Sequence, residues 1–245
     1  MKSTLSRRLV AEYVGTGFLV AAVVGSGIMA ERLANGNVAL ALLANTLATG
    51  AALVALILTF GPISGAHFNP AVTLADAMEG GLPWSHGSAY VIAQILGGLA
   101  GTVMAHRMFG LPAVSISHHV RSGGSQLLSE FVATFGLLSV IWGCSRLRSS
   151  VVPFAVGAYI TAAYWFTAST SFANPAVTIA RSLSDTFAGI RPSDVPLFIL
   201  TQIVGALAAT LLFRWLAPDL TRDADNVIIA HDVRPSGVAA ESTLL

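Results

Sequence analysis

Six stretches of about 20 mostly apolar residues, each the length needed to cross roughly 30 Å of hydrocarbon, dominate the chain at 9–29, 38–60, 87–109, 127–145, 151–168 and 195–216. Between the second and third lies 69–78, and between the fifth and sixth lies 174–184, apolar segments too short to span. A soluble domain carries roughly a quarter charged residues; here 10% are charged and 54% hydrophobic, which excludes a soluble fold. The sequence therefore predicts an all-α integral membrane protein with six transmembrane helices and two re-entrant half-helices.

Thirteen Lys and Arg against twelve Asp and Glu leave a net charge of +1, so there is no basic field for nucleic acid. The single cysteine, Cys144, forms no internal disulfide, and no His or Cys stands at zinc-ligand spacing, so neither metal nor cofactor is implied. The first apolar run follows Lys2, Arg7 and Arg8, but its length exceeds a signal peptide's and no small-residue cleavage site follows, so it is read as a span. With the N-terminus inside, the cytoplasmic side receives Lys2, Arg7, Arg8, Arg146, Arg148, Arg214, Arg222 and Arg234. The outer side receives Arg32, Arg107, Arg121, Arg181 and Arg191. That asymmetry favours cytoplasmic N- and C-termini. From Pro218 the chain turns polar, so 1–217 is read as one membrane domain and 218–245 as a flexible tail.

Three segments of the first half recur in the second. Glu12-Tyr13-Val14-Gly15-Thr16 answers to Glu130-Phe131-Val132-Ala133-Thr134, Asn69-Pro70-Ala71-Val72-Thr73 is identical to Asn174-Pro175-Ala176-Val177-Thr178, and Gln94-Ile95-Leu96-Gly97 answers to Gln202-Ile203-Val204-Gly205. The order is kept, so about 8–110 and 126–217 are repeats. Three crossings in each force the second to enter the membrane the other way up. Gly97, Gly98, Gly101, Gly205 and Ala209 lie at spacings that let helices approach closely.

Each Asn-Pro-Ala is a helix start: Asn caps with its side-chain oxygen, and Pro suits the first helical position because its missing N–H would be unpaired there. About ten residues at 1.5 Å each give roughly 15 Å, half the hydrocarbon thickness. Two inverted copies should meet N-terminus to N-terminus near the midplane. Non-helical backbone at that depth is tolerated only inside protein or beside water. A carbonyl ladder from Gly65, Ala66, His67 and Phe68 and from Thr170, Ser171, Phe172 and Ala173 is therefore the expected pore lining. The Asn69 and Asn174 amide N–H groups are expected to be free for a passing solute. Two helix ends, each with about half a positive charge, repel a cation ~5 Å away by roughly 3 kcal/mol at an effective dielectric of ~20.

On Ser64-Gly65-Ala66-His67-Phe68-Asn69-Pro70-Ala71-Val72-Thr73, on Asn174-Pro175-Ala176 and on the paired Glu and Gln positions, residues 8 to 217 resemble the aquaporin and aquaglyceroporin family, the major intrinsic proteins. The resemblance implies a homotetramer with one pore per protomer. The residue after the second Asn-Pro-Ala is usually a filter arginine in that family and is Val177 here. The other implied filter positions are Thr49, Ser171 and Tyr164. Such a filter is wider than that of a strict water channel. Thr178 stands where glycerol channels usually carry Asp, and the pattern is similar to bacterial aquaglyceroporin-like channels associated with arsenic resistance. The resemblance thus implies passage of arsenite, methylated arsenicals, glycerol and water in a bacterial inner membrane. The residues alone leave water, glycerol, urea, ammonia and metalloid acids open.

Glu12 and Glu130 lie inside spans, where acids are suspected of proton coupling; their repeat-related positions point instead to support of the re-entrant loops. His67 is read either as vestibule lining or as a packing residue, and Asp76 as locally paired. Arg181, four residues after Val177, either partly replaces the missing cation or faces the outer vestibule and headgroups; snorkelling favours the second. His118 and His119 are read as an ordinary loop pair. No nucleophile–base pair or His-Glu-x-x-His set is present, so an enzyme is not expected. An ordinary water or glycerol facilitator and an ion-coupled transporter are the competing readings, since such transporters also use opposed broken helices.

Overall fold

The computed structural model describes residues 3–147 and 149–217; the tail assigned to 218–245 lies outside them. The described residues form eight α-helices: α1 Leu5–Leu33, α2 Val38–Ser64, α3 Pro70–Glu79, α4 Trp84–Met108, α5 Gly124–Leu147, α6 Val152–Phe166, α7 Pro175–Arg181 and α8 Val195–Leu216. Five of these, α1, α2, α4, α5 and α8, are long and apolar enough to cross a membrane.

Caps rather than apolar limits set the helix ends. Thr4 accepts a bond from the Arg7 N–H and starts α1 four residues before the apolar run, and Asn37 accepts from Leu40 N–H at 3.1 Å to start α2. The apolar stretch at 151–168 yields only the 15-residue α6. A 3₁₀ turn at Ser149–Val151 precedes it, and Thr167 leaves helical geometry at its other end. Shorter also is the second half-helix, which ends at Arg181 rather than 184. The N–H groups of Ser182, Leu183 and Ser184 take the carbonyls of Ile179, Ala180 and Arg181, three residues back rather than four, and Ser115 and Ser117 N–H then bond Leu183 O and Ser182 O, so the chain tightens out of the α-helix and joins the loop between α4 and α5.

The duplication is visible in the packing. α1 pairs with α4 and α2 as α5 pairs with α8 and α6, α3 rests on α4 and α8, α7 rests on α8 and α4, and α2 meets α6 across the pseudo-twofold axis. Glycines permit these approaches. A Cβ on Gly97 would lie 2.2 Å from Tyr13 O, and the repeat-related Gly205 would place one 2.6 Å from the repeat-related Phe131 O. Large apolar side chains such as Phe18, Leu47, Ile92, Leu128 and Leu211 face outward, as suits a lipid-facing surface.

Candidate functional site

α3 and α7 begin identically. Asn69 Oδ1 accepts from Ala71 N–H at 2.9 Å, and Asn174 Oδ1 from Ala176 and Val177 N–H at 3.0 and 3.2 Å, with Pro70 and Pro175 opening the helices. The two ends face each other. Asn69 Nδ2 donates to Ala173 O at 2.7 Å and Asn174 Nδ2 to Phe68 O at 2.8 Å. This corrects the expectation of free amide N–H groups: one hydrogen of each amide is spent on the opposing loop, because the carbonyl preceding each Asn points at the other. Only the second hydrogen is left.

The segments leading into α3 and α7 are held in an unusual conformation. Ala66, Phe68, Thr170, Ser171 and Ala173 are non-glycine residues with φ between 48° and 60°, a region costing on the order of 1 kcal/mol each. Two buried carboxylates hold it in place. Glu12 accepts from His67 N–H (3.0 Å), Phe68 N–H (2.7 Å), the Ser64 hydroxyl (2.6 Å) and Gln94 Nε2 (2.8 Å). Glu130 accepts from Phe172 N–H (2.9 Å), Ala173 N–H (2.9 Å) and Gln202 Nε2 (2.6 Å). Each Gln also donates to the half-helix at 2.9 Å, Gln94 to Thr73 and Gln202 to Thr178. With their oxygens committed to backbone donors, the carboxylates are geometrically loop anchors.

One cavity of about 70 Å³, several times what a single water requires, runs between the two halves. It is lined by Ala66, His67, Phe68, Asn69, Ser171, Phe172, Ala173 and Asn174, by Thr49, Tyr164, Val177 and Arg181, and by the apolar Leu19, Val23, Leu53, Ile57, Leu137, Ile141, Val156 and Ile160. Gly65, Thr170, Pro70, Ala71, Pro175 and Ala176, also expected at the pore, are not among its lining residues. Thr49 and Tyr164, from α2 and α6, touch: the Tyr164 hydroxyl donates to Thr49 Oγ1 at 3.3 Å. Ser171 Oγ is buried without a protein partner among the described residues, so a solute or water at the wall is its natural partner. His67 Nδ1 lies 3.1 Å from Thr73 Oγ1 and its Nε2 3.6 Å from Asp76, packed edge-on against Tyr90.

Arg181 requires a correction. Rather than reaching headgroups it is 2% exposed, its Nε donates to Ala188 O, and its guanidinium lies over the Phe172 ring at 3.4 Å from the centroid. The i+4 spacing from Val177 placed it on the right face; neither the stacking ring on the preceding loop nor the Ala188 carbonyl on the following one has a sequence motif to announce it. A second cation was missed altogether. Arg121, in the loop between α4 and α5, donates from Nε to Gly189 O (2.7 Å) and from Nη1 to Ser169 O (3.1 Å), and sits 4.9 Å from the same ring. Burial lowers its pKa to about 10, which leaves it charged at neutral pH. His118 is exposed and bonded to Asp185, whose carboxyl is held below its ordinary pKa by the His118 backbone N–H and ring.

Two short helices opening at Asn-Pro-Ala and facing each other, their preceding loops anchored by buried glutamates beside a shared cavity, are the arrangement of a membrane channel. The major intrinsic protein family matches residues 1–171 and 146–242, and the chain belongs to that family, whose members are passive channels and not enzymes. It is 58% identical over 212 residues to aquaglyceroporin AqpS of Rhizobium meliloti, covering 86% of this chain and 91% of that protein. It is 31% identical to the probable aquaporin AqpM of Archaeoglobus fulgidus over 89% of this chain and all of the relative. The X-ray structure of the aquaglyceroporin from Plasmodium falciparum superposes with a TM-score of 0.65 at 21% identity, covering 92% of this chain and 97% of that one, and shares the fold.

Proposed function

We propose that the chain is a passive channel for small neutral solutes, passing water and glycerol and, through a widened constriction, arsenite and methylated arsenicals. The observation that carries this reading is Val177. It stands directly after the second Asn-Pro-Ala, lines the cavity beside Ser171, Thr49 and Tyr164, and brings neither the length nor the charge of the arginine usual there. Arsenite at neutral pH is As(OH)₃, an uncharged polyol mimic. The relative at 58% identity is itself called an aquaglyceroporin, in keeping with a pore wider than one for water.

A cavity lined by both apolar side chains and polar groups suits such solutes, which have an apolar body to pack and hydroxyls to exchange hydrogen bonds. With the carboxylates of Glu12 and Glu130 committed to backbone donors, proton coupling has no free acid at the midplane, which weighs against the ion-coupled transporter. We assign six crossings, α6 included, a homotetramer with one pore per protomer, a bacterial inner membrane location and cytoplasmic termini.

Val177→Arg tests the reading. In reconstituted liposomes, glycerol and arsenite permeability should fall by about tenfold or more while water falls less, since the substitution restores bulk at the constriction and pore width is what sorts neutral solutes by size. Unchanged glycerol and arsenite flux would remove Val177 from the constriction and the proposed filter with it.

A further inference from the structure

The 105-residue offset that superposes Asn69 on Asn174 also pairs Val72 with Val177, His67 with Phe172 and Asp76 with Arg181. In each half the same two positions touch. His67 Nε2 meets Asp76 at 3.6 Å, and the Phe172 ring meets the Arg181 guanidinium at 3.4 Å. The Arg181 contact is thus one copy of a duplicated device in which the ring before the Asn-Pro-Ala orients the side chain two turns into the half-helix. The copies have diverged to opposite charges, Asp76 in one half and Arg181 in the other.

The guanidinium is incompletely paired. Its Nε is used by Ala188 O, but among the described residues no hydrogen bond reaches Nη1 or Nη2 and no carboxylate lies within 4.0 Å. A buried cation with donors to spare is costly unless something satisfies them. What it faces is the cavity, of which it is a lining residue alongside Val177, one turn below on the same helix face.

We propose that Arg181 is the charge-selecting residue of the constriction: its guanidinium repels cations, and its free Nη N–H groups donate to the acceptor oxygens of solutes passing Val177. This rests on the channel reading above and deepens it. The pore keeps a fixed cation but sets it back by one helical turn against Phe172, which leaves the width at Val177 free for larger oxygen-bearing solutes. Arg121, on the same ring but held by the Gly189 and Ser169 carbonyls through Nε and Nη1 and absent from the cavity wall, is the supporting cation.

The test compares the wild type, Arg181→Gln, Arg181→Met and Arg181→Lys in liposomes, using guanidinium ion and glycerol as probes of similar size, one always charged and one neutral. The readout is the guanidinium-to-glycerol flux ratio, with size-exclusion chromatography reporting assembly. Removing the charge should raise the ratio by about tenfold or more, and Lys should hold it near the wild-type value. Met keeps the apolar stem against Phe172 and serves if Gln fails to assemble. A ratio unchanged in an assembled Gln or Met variant, or a wild type that passes guanidinium as readily as glycerol, overturns the proposal. A wild type that passes no glycerol above empty liposomes overturns the wide-channel reading, and this assignment with it.

Discussion

Asn69 and Asn174 each cap their own half-helix and each donate to the carbonyl that precedes the other, Asn69 to Ala173 O at 2.7 Å and Asn174 to Phe68 O at 2.8 Å. The two halves of the pore are therefore closed on one another by side chains that also start the helices. Losing either residue removes a cap and a cross-link together.

Asn174→Ala should cost about 2–3 kcal/mol, summing a helix cap of ~1–2 and a buried hydrogen bond of ~1. Thermal unfolding in detergent measures it. Because Phe68 O then loses its donor, Asn69→Ala on the same background should cost less than it does alone. Strict additivity would contradict the cross-link.

Glu130→Gln replaces a carboxylate that accepts from Phe172, Ala173 and Gln202 with an amide that turns a donor toward donors. A loss on the order of 2–5 kcal/mol follows for an unsatisfied buried network, and with it the left-handed φ at Ser171 and Ala173 should relax. Hydrogen exchange localised to 168–174 would register that opening. Protection equal to the wild type's would contradict the anchoring role.

Gly205→Ala drives a Cβ to 2.6 Å from Phe131 O and 3.1 Å from Phe135 N, both backbone atoms of α5. α5 and α8 must part, at about 1–3 kcal/mol by the usual cost of overpacking. The thermal midpoint should fall, and more than for alanine at Gly143, whose Cβ would lie 3.7 Å from the Phe213 ring in ordinary contact.

The apolar runs and the repeated Asn-Pro-Ala made the spans, the half-helices and their caps legible, because capping chemistry and hydropathy are local properties of sequence. Glu12 and Glu130 were legible as a pair through the repeat. What escaped depends on groups far apart in the chain. The carbonyls that take the Asn amides lie 104 and 106 residues away, and Arg181 is turned inward by a ring on the preceding loop and a carbonyl on the following one. Snorkelling governs an arginine facing lipid or headgroups; at Arg181 the surrounding protein offers a stacking partner and an acceptor instead. The short α6 was hidden because apolar composition continues past Phe166 after the helix has stopped.

Stopped-flow permeability of the purified protein in liposomes, comparing water, glycerol, arsenite and methylated arsenicals with and without an imposed pH gradient, tests the central claim most directly. A passive wide channel predicts flux of all four solute classes along their own gradients, with rates unchanged by the pH gradient. Water flux alone would mean a constriction narrower than Thr49, Tyr164, Ser171 and Val177 define, and flux driven by the pH gradient would replace the channel with a coupled transporter.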